Sequence, residues 1–151
     1  MTSPRSAYRE VSAQGGSPVR LVVMLYEQLI DDLRLALGAM ERKNVELRTH
    51  KINHAILILG HLESTLHAAD SNPVAQNLIA FYDQVRNGLI AAQMRASPRL
   101  LLQQITDLLA MREAWIEVER RELALAAGDL GLNGTDPTQV PSAIPLGQVE
   151  V

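Results

Sequence analysis

The chain has 151 residues, 47% hydrophobic but only 3% aromatic, with no cysteine and a formal net charge of −3. That length suits one domain with a real core, and the core must be built from aliphatic residues and methionine. The absence of cysteine excludes disulfides and thiolate metal sites. From Leu123 onward there are three acids and no Lys or Arg, so residues 1–122 are electrically balanced. No basic face or stripe of the kind that binds nucleic acid is visible. Neither a leader-like apolar segment nor a run of about 18 uncharged apolar residues is present, so a soluble, cytoplasmic protein without membrane insertion is expected.

Met1 to Gly16 mixes Ser, Arg and Gly with a single Tyr8 and shows no sustained period. It reads as a flexible N-terminal arm, with Gly15-Gly16 as its hinge. Ser17-Pro18 is a helix-start signal, because Ser caps free backbone N–H groups and Pro fits the first turn. From there to Met40, Val19, Val22, Val23, Tyr26, Leu29, Ile30, Leu33, Leu37 and Met40 fall on one wide arc, with Leu25 and Ala36 at its edge. Arg20, Glu27, Asp31 and Arg34 fall opposite. An arc this wide predicts a helix with two neighbours, as in a four-helix bundle.

A polar turn, Glu41 to Asn44, leads to a second predicted helix, Val45 to Asp70, with a stripe of Ile52, Ala55, Ile56, Leu59, Leu62 and Leu66. Ser71-Asn72-Pro73 stops it and starts the third, Pro73 to about Met94, which is predicted to bury Val74, Leu78, Phe81, Tyr82, Val85, Leu89 and Ala92. Ser97-Pro98 repeats the start signal and opens a fourth helix to about Ala127, with Leu101, Leu102, Ile105, Leu108, Leu109, Trp115 and Ile116 as its core arc. Residues 128–151 contain repeated Gly and Pro without a helical period and read as a disordered tail. The expectation is an all-α, antiparallel up-down four-helix bundle over residues 17–127, between the arm 1–16 and the tail 128–151.

His50, His54 and His61 project on one face of the second helix, opposite its apolar stripe. An i, i+4 histidine pair can hold zinc, but no second cluster supplies further ligands, so a solvated polar face is expected and no metal. A di-iron bundle needs Glu-x-x-His motifs, and none occurs. A phosphotransfer bundle would place Lys and Gly three and four residues after an exposed His. Here Ser64 and Thr65 follow His61, and Leu57 and Ile58 follow His54. No nucleophile–base set or phosphate cradle is present, so no catalytic residues, cofactor or enzymatic activity are expected.

Apolar residues beyond the needs of one stripe point to binding instead. Leu57 lies on the histidine face with Leu47 and Ile58 beside it, Ile79 and Ile90 lie off the third stripe, and Leu100, Met111 and Val118 form a second line on the fourth helix. Such lines usually serve a second neighbour in a bundle, yet together they allow an exposed groove for an amphipathic partner.

Ala7-Tyr8, Ser17-Pro18, Met24-Leu25-Tyr26, Asn77-Leu78 with Phe81-Tyr82, and Arg112-Glu113-Ala114-Trp115 together resemble the flagellar secretion chaperones of the FliS type, over residues 7 to 120. Glu27-Gln28 stands where the family usually has Asp-Gly, and Ser71-Asn72-Pro73 replaces a glycine-rich loop. The resemblance implies a cytoplasmic, ATP-independent chaperone that wraps the C-terminal disordered segment of flagellin around the bundle. That would block premature polymerisation and precede hand-over to the export gate. It implies a one-to-one complex with a monomeric chaperone, with an export-gate protein and an anti-sigma factor as further partners. Tyr8, Leu47, Leu57, Ile58, Ile79, Ile90, Leu100 and Met111 are the candidate contacts, and Tyr8 is expected to pack into the groove when flagellin is absent. A general helical adaptor for another amphipathic segment is the alternative.

Overall fold

The computed structural model describes residues 17–66 and 72–129. It is an all-α four-helix bundle of α1 (Pro18–Glu41), α2 (Val45–Ser64), α3 (Pro73–Arg95) and α4 (Pro98–Asp129). Two compact units are distinguished, one ending at Ile116 and one starting at Glu117.

Three of the four starts follow the predicted signals, and in the fourth Asn44 of the polar turn serves as the cap. Ser17 Oγ accepts the Arg20 N–H at 3.1 Å, Asn44 Oδ1 the Leu47 N–H at 3.1 Å, Asn72 Oδ1 the Val74 N–H at 2.8 Å and Ser97 Oγ the Leu100 N–H at 3.2 Å. Each satisfies a backbone donor that the first helical turn leaves free. Proline stands at the start of α1, α3 and α4.

The two hairpin turns share one construction. At the end of α1, Lys43 is left-handed (φ 59°) and the Asn44 N–H returns to the Ala39 carbonyl at 2.8 Å. At the end of α3, Ala96 is left-handed (φ 47°) and the Ser97 N–H returns to the Ala92 carbonyl at 3.1 Å. These are Schellman closures made without glycine. Asn44 and Ser97 therefore close one helix and cap the next. A Cβ in left-handed backbone is strained, so Ala96→Gly is expected to stabilise the fold by about 0.5–1 kcal/mol, read as a higher urea midpoint at unchanged slope.

In the first unit, α1 is the element the others pack around. Leu21, Val22, Val23, Leu25, Tyr26, Leu29, Ile30, Leu33, Ala36, Ala39 and Met40 are buried on it. Contacts from α1 reach all three other helices: Asp32 to α2, Tyr26 to α3 and Glu27 to α4. Between α2 and α3, Arg86 pairs with Glu63 while Gln93 bridges Arg48 and Thr49. Between α3 and α4, Gly88 makes room for the buried Gln104, whose amide would lie 2.3 Å from a Cβ at that position. A glycine is required there by close approach rather than by backbone angle.

Several expectations are corrected. The second helix stops at Ser64, not Asp70, where the Thr65 and Leu66 N–H groups turn back to the Leu62 and Glu63 carbonyls. Val74 is 65% exposed because Ala75 and Leu78 take the core positions at the start of α3, and Leu102 is 48% exposed because Leu101 and Ile105 take those of α4. Leu21 and Ala39 are core residues, whereas Val19 is half-buried. The last helix runs through Gly128 to Asp129. The arm 1–16 with Tyr8, residues 67–71 and the tail from 130 lie outside the described residues.

In the second unit, residues 117–129 are the final turns of α4, where Glu117 pairs with both Arg120 and Arg121. Val118, Leu123 and Leu125 are exposed there.

Candidate functional site

The motif pieces that are scattered along the sequence meet at one place in the first unit. Tyr26 on α1 and Tyr82 on α3 are almost wholly buried, and the Tyr26 hydroxyl donates to the Tyr82 hydroxyl at 2.9 Å. Their rings are tilted by 56° with centroids 6.2 Å apart, and Phe81 adds a second tilted pair with Tyr82 at 5.8 Å. Such tilted pairs suit the ring quadrupoles. Trp115 on α4 packs against the core, and its buried indole N–H approaches the Tyr26 hydroxyl without closing a full hydrogen bond. Burial pushes both phenols above their usual value, so they stay neutral.

Beside this aromatic knot, Arg112 Nη2 pairs with Glu27 Oε2 at 2.9 Å, joining α4 to α1. Glu27 stands where the resembled family usually carries Asp, and it keeps the carboxylate that receives the arginine. The pair is partly exposed and contributes about 1 kcal/mol at most. Its value is geometric, because it aligns the turns of α1 and α4 that hold Tyr26 and Trp115.

Two clefts flank α4 at this level. A cleft of about 370 Å³ between α1 and α4 is lined by Glu27, Ile30, Asp31, Arg34, Leu109 and Arg112. A shallower trough of about 500 Å³ between α3 and α4 is lined by Phe81, Gln84, Asp107, Ala110, Met111 and Ala114. Four of the six residues lining the α1–α4 cleft are charged, with Ile30 and Leu109 between them, whereas Phe81, Ala110, Met111 and Ala114 give the trough a mainly apolar lining rimmed by Gln84 and Asp107. That arrangement fits an amphipathic chain segment.

The candidate contact residues are distributed unevenly over this surface. Met111 lines the α3–α4 trough. Leu47, Ile79 and Leu100 are half-buried, while Leu57 and Ile90 are exposed. Ile58 is corrected: at 0% exposure it belongs to the core, because the seam of α2 with its neighbours is wider than the single stripe read from the sequence. The trough brings in Phe81, Gln84, Asp107, Ala110 and Ala114, none of which was a candidate contact. The Ala110-Met111-x-x-Ala114 pattern, two small residues one turn apart beside a methionine, is the sequence signal that marks its α4 wall.

The histidine face is corrected in part as well. His50 is exposed, but His54 Nδ1 lies 2.5 Å from Asp32 Oδ2 in the α1–α2 seam. Among the described residues no group of three His, Asp or Glu side chains is arranged to hold a metal ion. No helix among them is long and apolar enough to cross a membrane.

Tyr26, Tyr82, Arg112 and Trp115, drawn from three separate pieces of the resembled motif, converge in one place, and comparison with known proteins decides which family they mark. The family model described as flagellar protein FliS matches residues 1–122. This chain belongs to the FliS family. It is similar to the flagellar secretion chaperone FliS of Vibrio cholerae, at 26% identity over 87% of this chain and 100% of that protein. Its identity to FliS of Bacillus subtilis is also 26%, over 80% of this chain and 91% of the relative. The flagellar secretion chaperone FliSB of Pseudomonas aeruginosa is 29% identical over 72% of this chain and 89% of its own length. The FliS family is one of chaperones rather than enzymes, and its model covers the aromatic knot and both clefts.

Proposed function

We propose that this chain is a cytoplasmic export chaperone that holds the C-terminal segment of flagellin, keeps it from polymerising and delivers it to the flagellar export apparatus. The observation that carries this reading is the mainly apolar trough between α3 and α4, with a charged cleft on the other side of α4, beside the aromatic knot in a FliS-family bundle. A client segment that orders on binding loses conformational entropy, so it needs a long apolar contact rather than one deep pocket. Met111, Leu100, Ile79 and Ile90, with Leu47 and Leu57 on α2, extend that contact beyond the clefts. Tyr8 occupies the groove when the client is absent. The chaperone acts as a monomer, one to one with its client, before the complex passes to an export-gate protein; an anti-sigma factor is a further partner of the same surface.

The test is calorimetric titration with flagellin from the same organism, intact and lacking its last ~40 residues. Tight one-to-one binding that disappears on truncation, with a negative heat-capacity change, is the expected result. Absence of binding to intact flagellin would overturn it in favour of a helical adaptor with another client.

A further inference from the structure

Away from the clefts, the seam between α1 and α2 encloses a carboxylate with two possible counter-ions. The side chain of Asp32 is 5% exposed; His54 Nδ1 lies 2.5 Å from its Oδ2 and Lys51 Nζ lies 3.9 Å from its Oδ1. The Lys51 and His54 side chains are themselves only 10% and 16% exposed. The other charged group acting on Asp32 is the neighbouring, exposed Asp31 of α1, and α3 and α4 bring none to it among the described residues.

A buried anion needs one compensating cation, and a second one in the same enclosure is a surplus charge. Lysine is charged throughout the ordinary pH range, whereas histidine gains its proton between about pH 8 and pH 5. With His54 neutral, its Nδ1–H donates to Asp32 and the Lys51 ammonium supplies the balancing charge. With His54 protonated, the closer imidazolium balances Asp32, and Lys51 becomes the surplus. Its long apolar stem allows the ammonium to turn out to water while the methylenes stay packed.

We propose that the α1–α2 seam exchanges its counter-ion with pH: Lys51 balances Asp32 when His54 is neutral, and His54 takes over when protonated, releasing the Lys51 ammonium to the outer face of the two helices. Burial pushes the Asp32 carboxyl above its usual range against the pull of His54 and Lys51, which is the sign of an ion held at a cost by its neighbours. That cost applies above the folded pKa of Asp32 and is relieved as pH falls through it, so the exchange ends where Asp32 takes its own proton. Above that point the outer face beside the exposed Leu57, His50 and the half-buried His61 gains one positive charge when Lys51 turns outward.

The experiment is urea unfolding of the full chain at about pH 8 and about pH 6. Lys51→Met is expected to raise the unfolding constant at least about fivefold more at the higher pH, and His54→Gln at least about fivefold more at the lower. Both differences should vanish in an Asp32→Asn background. Equal effects of Lys51→Met at the two pH values, or differences that survive Asp32→Asn, would overturn the proposal. If Lys51→Met folds only at the lower pH, that supports it. If it folds at neither, His54→Gln decides, with an equal loss at both pH values overturning the exchange.

Discussion

Tyr82→Ala is expected to destabilise the fold by about 3–5 kcal/mol, enough to bring a typical small domain near the edge of unfolding. The side chain is 1% exposed and stacks on both Tyr26 and Phe81, so truncation leaves a cavity between α1 and α3. It also removes the acceptor of the buried Tyr26 hydroxyl. The two contributions separate by chemistry. Tyr82→Phe keeps the ring and loses the acceptor, at an expected cost of about 1–3 kcal/mol, while Tyr26→Phe with Tyr82→Phe removes donor and acceptor together and should cost less than the sum of the singles. Urea unfolding of the four variants gives the coupling. Strict additivity would mean that the hydroxyl pair contributes nothing to the knot.

Ala110→Glu is expected to weaken flagellin binding by on the order of thirtyfold or more, the scale of a hot-spot loss, while changing stability by less than about 0.5 kcal/mol. Ala110 is exposed on the trough wall, so a longer side chain meets solvent in the free protein. With a client seated against Met111 and Phe81, the same side chain would have to bury its carboxylate one turn from Asp107. Leu57→Asp tests the outer face of α2 in the same titration. Wild-type affinity in Ala110→Glu alongside a large loss in Leu57→Asp would move the client from the α3–α4 trough to α2. Unchanged affinity in both would remove both surfaces from the binding site.

The four helices were legible because aliphatic periodicity and Ser-Pro or Asn-Pro starts are local signals. Periodicity gives the arc of a helix less securely than its existence. Val74 and Leu102 looked like core residues, yet they are exposed, and Ile58 looked like surface, yet it is fully buried. The rotation of each helix is set by what it meets, including the polar Asp32, Lys51 and Gln104 that an apolar stripe does not count. The ion pair of His54 was illegible for the same reason: Asp32 is 22 residues away, and only the antiparallel register of α1 and α2 brings the two together. The trough was partly legible in Met111, but its walls depend on the spacing of α3 and α4, which Gly88 and Gln104 determine across the interface.

The shared cap residues of the two hairpin turns also bear on the order in which the fold is completed. Asn44 and Ser97 each finish one helix and begin another, so both hairpin turns are organised by contacts close in sequence. Such contacts cost little chain entropy to close and are expected to form early. The bond from Tyr26 to Tyr82 spans 56 residues and that from Arg112 to Glu27 spans 85. These long-range bonds are expected to close last. These bonds join elements far apart in sequence, so the cleft between α1 and α4 is expected to be in place only after they have formed.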